Sequence, residues 1–329
     1  VSLATIYDVA KRAGVSTYTV SAVLNRSAHV SAELTKRVEQ AVRELDYAPN
    51  DLARGLQTHK TKTVGMLIPD IASPFYAEVV RGAEDVLKHS GYSLILGNSY
   101  DKPEEQARYL MVFRSKQVDG LLLFAAPGGD QGAKALVQSK KPAVFLARRP
   151  VGFMADSVTP DNVLGTELAV QRLIDKGHEK VALITGPLCL TAASDRVLGW
   201  RRALKNAGLA APRHWVGECD WTPESAYRVT LTWMNSEERP TALFIGNFLM
   251  MTGALRALWE RKIKCPQQVE IMISDDQKWL DYFEPRISAV VQPCYAMGAQ
   301  AAEILLKRIR NPERKFEQIV LEPELKLRS

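Results

Sequence analysis

The chain predicts two fold classes in series: an all-α helix–turn–helix module at the N-terminus, then a large α/β body of two doubly wound parallel sheets. Three observations lead there. Residues 5–25 read as two short helices around a glycine turn, and from residue 62 short apolar runs alternate with amphipathic segments. At 329 residues, the chain also exceeds one ordinary domain.

In the first stretch Thr5 and Asp8 have the spacing of a capping box, and Ile6, Val9, Ala10 and Ala13 make one apolar helical face. Gly14 supplies the left-handed turn that ends this helix, and Ser16 caps the next. Val20, Val23 and Leu24 are expected to point back at the first helix, leaving Thr17, Tyr18, Ser21 and Ala22 outward. A second helix of this kind lies in the major groove of DNA with its N-terminal side chains on base edges. Ser31 then caps a third helix, about 32–45, whose stripe of Leu34, Val38, Ala41, Val42 and Leu45 closes a three-helix core. Pro49 breaks the pattern, and residues 50–57 are too few to persist as a helix alone in water. They read as a linker.

The body begins with strands at 63–68, 93–97, 120–124 and 143–146, interleaved with helices at 75–90 and 104–116. A second set follows: helices 163–176, 196–207, 224–234 and 252–262 among strands 181–185, 215–216, 242–245 and 269–273. Two such lobes leave a cleft at the carboxyl ends of their strands, where ligands bind in parallel sheets.

Composition narrows the function classes. Apolar content is 46% and charged content 24%, no run of 18 apolar residues occurs, and no secretory leader opens the chain. A cytoplasmic protein with no membrane partner is expected. Four scattered cysteines without a C-x-x-C pair predict neither a disulfide framework nor a zinc site. The net charge is +6, and residues 1–62 hold nine Lys/Arg against six Asp/Glu, half the excess in under a fifth of the chain. That distribution suits a module contacting phosphates. No G-x-G-x-x-G follows a strand, Gly132-Ala133-Lys134 lacks phosphate-loop spacing, and no nucleophile–base pair is legible beside Asp275-Asp276. No catalytic residue, metal or cofactor is therefore assigned. A solute-binding protein of a transport system shares the two-lobed body and is the alternative, against which the helix–turn–helix argues.

The pattern A-G-V-S-x-x-T-V-S-x-V-L-N from Ala13 to Asn25, followed by His29-Val30-Ser31, closely resembles the start of lactose-repressor/galactose-repressor (LacI/GalR) family regulators. Asp161-Asn162, Lys176-Gly177-His178, Gly186-Pro187-Leu188, Arg196, Asp220-Trp221, Gly246-Asn247, Asp275-Asp276 and Gln292-Pro293 match later landmarks of that family. The resemblance implies a headpiece over 1–46 and a hinge over 47–61 that folds on DNA. It also implies a periplasmic-binding-protein-like body with one lobe from 62–161 plus 292–329 and another from 162–291. It further implies a homodimeric repressor on a pseudo-palindromic operator in double-stranded DNA, controlled by a small effector. The matching DNA-contact positions are Thr5, Tyr7, Ser16, Thr17, Tyr18, Ser21, Ala22, Asn25, His29, Ala53 and Leu56, the last wedging into the minor groove. Where many relatives carry Arg, Ala22 offers only apolar contact with a thymine methyl, so a bidentate readout of about 1–3 kcal/mol is absent.

By family position Asp161, Arg196, Trp221, Asn247 and Asp275 face the effector, with Phe75, Tyr76, Phe124 and Arg148 lining the first-lobe side. The chemistry suits a hydroxylated ligand: Arg196 donates, Asp275 accepts, Asn247 does both, and Trp221 stacks on a ring. Taken singly, Trp221 also fits a core, Asp161 and Asp275 fit helix caps, and Arg196 fits a brace at a helix start. Leu190 and Ala192 replace residues that hold a base in purine-responsive members, which disfavours a purine. Phe248 removes an acceptor, and Ala147-Arg148 stands where many members have an acid. A sugar, a sugar acid and a sugar phosphate remain open as effector. His178 reads as structural.

Overall fold

The computed structural model describes residues 4–25, 28–47 and 60–328, and of Asn25 and Asp130 only the backbone. The chain divides into two units, Val1–Thr61 and Lys62–Ser329. In the first, α1 (Ile6–Ala13), α2 (Thr17–Asn25) and α3 (Ala32–Glu44) surround a core of Val9, Ala10, Ala13, Val20, Val38 and Ala41. The capping box closes reciprocally: the Thr5 amide donates to Asp8 at 2.8 Å and the Asp8 amide to the Thr5 hydroxyl at 3.4 Å. Gly14 ends α1 at φ 66°, the left-handed region where a Cβ is penalised. Ser16 accepts from the Thr19 amide at 3.1 Å, and Ser31 from the Leu34 amide at 3.4 Å. One clamp was not anticipated: Arg37 of α3 donates to the Ala13 carbonyl at 2.6 Å, tying the third helix to the turn.

The second unit is two lobes, each a six-stranded sheet. Strands β1 (Thr63–Ile68), β2 (Ser93–Asn98), β3 (Gly120–Leu123), β4 (Ala143–Leu146), β5 (Asp156–Pro160) and β11 (Gln318–Leu321) align in the order β11-β5-β4-β3-β1-β2, all pairs parallel. The second sheet is β12-β10-β9-β8-β6-β7, from β6 (Val181–Thr185), β7 (Val216–Glu218), β8 (Ala242–Ile245), β9 (Glu270–Ile273), β10 (Ser288–Val291) and β12 (Glu324–Lys326). Its pairs are parallel except β10 with β12. Helices α4 (Pro74–His89), α5 (Pro103–Ser115) and α6 (Asp130–Gln138) connect the first sheet. Helices α7 (Asn162–Asp175), α8 (Thr191–Asn206), α9 (Pro223–Met234) and α10 (Phe248–Glu260) connect the second, and α11 (Cys294–Arg310) returns to the first lobe. Core strands such as Ala242–Ile245 are buried along their whole length, as parallel strands covered on both faces must be.

The chain passes between lobes three times: after Pro160, after Val291 and between Leu321 and Glu324. Helix α11 buries Met297, Ala301, Ala302, Ile304 and Leu305 in the first lobe's core. It meets α4 so closely that a Cβ on Gly82 would stand 2.1 Å from the Tyr295 carbonyl oxygen, and one on Gly298 1.9 Å from that of Val79. Several elements escaped the hydrophobic pattern. Strand β5, Asp-Ser-Val-Thr-Pro, is mostly polar yet wholly buried, because Asp156 is met there by Arg308 at 2.8 and 3.0 Å. Helix α8 begins at Thr191, five residues before the expected start, so Arg196 lies inside the helix rather than bracing its end. Helix α10 likewise starts at Phe248 because Asn247 caps it, accepting from the Met250 amide at 2.7 Å.

Candidate functional site

Both sheets reverse strand order beside their first strand, at β1/β3 and β6/β8, the switch points where such sheets bind ligands. The segments leaving the carboxyl ends converge on one cleft between the lobes. Ser73, Phe75 and Tyr76 follow β1, and Ala147 and Arg148 follow β4; across from them, Ala192 and Arg196 follow β6, Trp221 follows β7, Gly246 and Asn247 follow β8, and Asp275 follows β9. The cavity is about 50 Å³, against roughly 300–1,000 Å³ for ligand pockets in general. It has room for a few waters.

Arg196 is 7% exposed; it donates to the Ala192 carbonyl and to the Ser274 hydroxyl, each at 3.2 Å, and its Nε has no protein partner. Burial lowers its pKa, while Asp275 works the other way. Asp275, 7% exposed, accepts from the Phe248 amide at 3.4 Å. Burial pushes its carboxyl up to about 6, with Arg196 and the Phe248 amide pulling it down. Trp221 sits at φ 67° with its indole N–H buried and unpartnered, and Arg196 and Arg148 lie 5.6 and 5.9 Å from its ring centre. Gly186 makes room for that ring: a Cβ there would lie 2.0 Å from it. Asn247 donates to the Trp221 carbonyl at 3.4 Å while capping α10.

Arg148 is 4% exposed, and its guanidinium grips Asp101 at 2.6 and 2.8 Å and the Ala125 carbonyl at 2.8 Å. Burial alone lowers its pKa, but the Asp101 carboxylate and Tyr76 outweigh that and raise it. Next to it, Arg149 reaches the other lobe. Its amide donates to the Thr191 hydroxyl at 2.8 Å and its guanidinium to Asp195 at 2.7 Å, both on α8.

Two expected lining residues are elsewhere. Phe124 is fully buried behind Tyr76, the ring centres 5.0 Å apart, because it directly follows β3, whose residues are all buried. Asp161 is spent on capping α7, accepting from the Leu164 amide at 2.9 Å, and is absent from the cleft lining. Ser73, Asp101 and Ser274 were missed. Ser73 lines the cleft, Asp101 stands behind Arg148, and Ser274 joins Arg196 to Gln292, which donates to it at 2.9 Å from the second crossing between lobes. Only the chain-wide pairing of strand ends brings these together. His178 is held by Thr241 at 3.0 Å and Glu270 at 3.1 Å, closing the turn before β6.

In the helical unit Tyr7 and Tyr18 are each 74% exposed, Thr5, Ser16 and His29 are exposed, and Thr17 and Ser21 are half-buried. Ala22 is 2% exposed, which corrects its outward assignment and with it the thymine contact. It lies one turn after Tyr18, and a lone methyl is easily covered by longer side chains around it. Ala53, Leu56 and the Asn25 side chain lie outside the described residues.

A groove-reading helical pair joined in one chain to a two-lobed small-molecule cleft defines a ligand-responsive DNA-binding regulator. Residues 5–50 match the model of bacterial regulatory proteins of the lacI family, and residues 170–329 match that of the periplasmic binding protein-like domain. The chain is 37% identical over 325 residues to the ribose operon repressor of Escherichia coli (strain K12), covering 98% of each. It is 34% identical to the HTH-type transcriptional repressor PurR of Klebsiella pneumoniae (strain 342), covering 98% of this chain and 95% of that one. Among solved structures, the lac repressor dimer bound to operator and the anti-inducer ONPF superposes with a TM-score of 0.88 at 27% identity, covering 99% and 98% of the two chains. The chain belongs to the lacI family and is a DNA-binding transcriptional regulator, not an enzyme or a transport solute-binding protein. No described helix is long and apolar enough to cross a membrane.

Proposed function

We propose that this regulator is a dimeric repressor whose operator affinity is set by a sugar bound between its lobes. The observation that carries the effector reading is the convergence of Arg196, Asp275 and Trp221 on one cleft, with a buried donor on each of Arg196 and Trp221 lacking a protein partner. Such donors are costly to leave unmet and await an acceptor from outside. Ala192 presents only a methyl, and Leu190 is buried, so nothing at these positions holds a purine edge. The relatives include a ribose operon repressor, and a solved cellobiose complex of the regulator CelR is 31% identical with a TM-score of 0.75.

Operator contact falls to Thr5, Tyr7, Ser16, Thr17, Tyr18, Ser21, Asn25 and His29, and by the family resemblance to Ala53 and Leu56. Two copies set their reading helices about one helical turn of DNA apart. The effector alters operator affinity only through its unequal affinity for the open and closed lobes. Thermal unfolding of the full chain against pentoses, hexoses, aldonic acids and sugar phosphates tests the reading. One class raises the melting temperature saturably and changes a gel shift on the cognate operator, and Trp221→Ala loses both responses. A panel without any response, or a purine that stabilises through this cleft, defeats it.

A further inference from the structure

We infer that Asp101 decides the charge of ligand the cleft admits: by pairing with Arg148 it reserves the site for neutral, hydroxyl-rich molecules and turns away carboxylates and phosphates. The inference rests on the cleft being the effector site and narrows its ligand class. Arg148 and Arg196 both line the cleft, and two guanidiniums around one small cavity suggest an anion receptor. The partners reverse that reading. Asp101 stands just past the end of β2 at φ 54°, in a turn held by the Tyr100 amide on the Pro69 carbonyl at 2.8 Å and the Lys102 amide on the Ser99 carbonyl at 2.9 Å. From there each of its carboxylate oxygens meets one terminal nitrogen of Arg148, at 2.6 and 2.8 Å. The first of those nitrogens also donates to the Ala125 carbonyl at 2.8 Å. Both ends of the fork are thus committed to protein, and the charge is cancelled before a ligand arrives.

What remains is Arg196, opposed by the Asp275 carboxylate, together with the unpartnered Arg196 Nε–H and Trp221 indole N–H. A hydroxyl satisfies both kinds of group, accepting from the donors and donating to Asp275. A carboxylate or phosphate brings a negative charge instead: Arg196 attracts it, but the Asp275 carboxylate beside Arg196 opposes it, and Arg148 is already paired with Asp101 and adds no net charge. Repulsion of that kind inside a low-dielectric cleft outweighs the gain of one hydrogen bond.

The probe is inorganic phosphate on the full-length protein, read by thermal shift at ionic strength matched with chloride. Wild type is expected to show no saturable stabilisation. Asp101→Asn uncages the Arg148 charge and gains one, with a midpoint at least about ten-fold below any wild-type response. Adding Arg148→Met to Asp101→Asn removes the gain, which locates it in the cleft rather than on the DNA-binding unit, and Asp101→Glu keeps the wild-type exclusion. Saturable phosphate binding by wild type that Arg148→Met abolishes overturns the inference. So does a folded Asp101→Asn protein, with unchanged circular dichroism, that gains nothing. Should Asp101→Asn not fold, Asp101→Ser takes its place and is judged in the same way. A separate arm compares aldoses with their aldonic acids on wild type: stabilisation by an acid above its neutral sugar also overturns it. Silence of the sugar arm with a positive phosphate arm would indict the sugar reading alone.

Discussion

Asp275 shows at the scale of one residue how a binding site costs the fold. Its carboxyl has a folded pKa near 6 against an ordinary 3.8, chiefly because burial penalises the ionised form. Between those values the folded protein holds a proton that the unfolded chain has released, so stability falls as pH rises from about 4 to about 6 and stays reduced above. A shift of about two pH units is worth roughly 2–3 kcal/mol. Asp275→Asn should therefore leave the ligand-free protein at least as stable as wild type at pH 7.5 and flatten this part of its pH dependence, while ending effector binding. Urea titrations at pH 5 and 7.5 check the first, and thermal shift with the effector checks the second. At this scale Arg196, Trp221, Asn247 and Asp275 were legible through the family resemblance, which marks their positions, and through side-chain chemistry suited to a hydroxylated ligand. Phe124 and Asp161 looked equivalent, and only packing separates a ring that stays in the core, or a carboxylate used as a cap, from one that lines the cleft. Asp101 was not legible, since its partner is 47 positions away along the chain.

The reading elements are best seen in the turn between α1 and α2. Its geometry rests on Gly14 at φ 66° and on the Arg37 guanidinium, which donates to the Ala13 carbonyl at 2.6 Å and would lie 2.6 Å from a Cβ added to Gly14. Gly14→Ala meets both a left-handed backbone penalty of about 1 kcal/mol and that clash. It should weaken operator binding at least ten-fold in a gel shift while leaving effector-induced stabilisation of the body unchanged; equal loss of both would show that the units do not fold separately. Caps and turn were plain in the sequence because their chemistry is local: Thr5 with Asp8, Ser16 with Thr19, Ser31 with Leu34. Strand β5 was hidden because a buried polar strand depends on a distant ion pair, Arg308 with Asp156, that no pattern within the strand announces.

For the whole molecule the deciding feature is how the lobes are held. Three crossings link them, and Arg149 bridges them on α8, the helix that also carries Arg196 into the cleft. The Arg149–Asp195 pair is partly exposed, with side chains 39% and 21% accessible, so its worth is about 1 kcal/mol or less. Even that matters to a two-state equilibrium, because apparent affinity scales with the fraction of molecules in the binding-competent arrangement. Arg149→Gln and Asp195→Asn should each change the effector midpoint about two- to five-fold, and the double variant by no more than either alone. Additive effects in a double-mutant cycle titrated by thermal shift would mean the two side chains act independently.

By itself the sequence determined the local and periodic facts: two capped helices around a glycine, two runs of alternating strands and helices, and polar residues waiting at strand ends. These follow from backbone chemistry and from apolar spacing, which act within a few residues. Only the tertiary structure decided which of those polar residues share a cavity, which charge is already cancelled, and where the C-terminal segment goes, with β11 joining one sheet and β12 the other. The reason is that burial and ion pairing act through space, between groups whose separation along the chain carries no information about their distance.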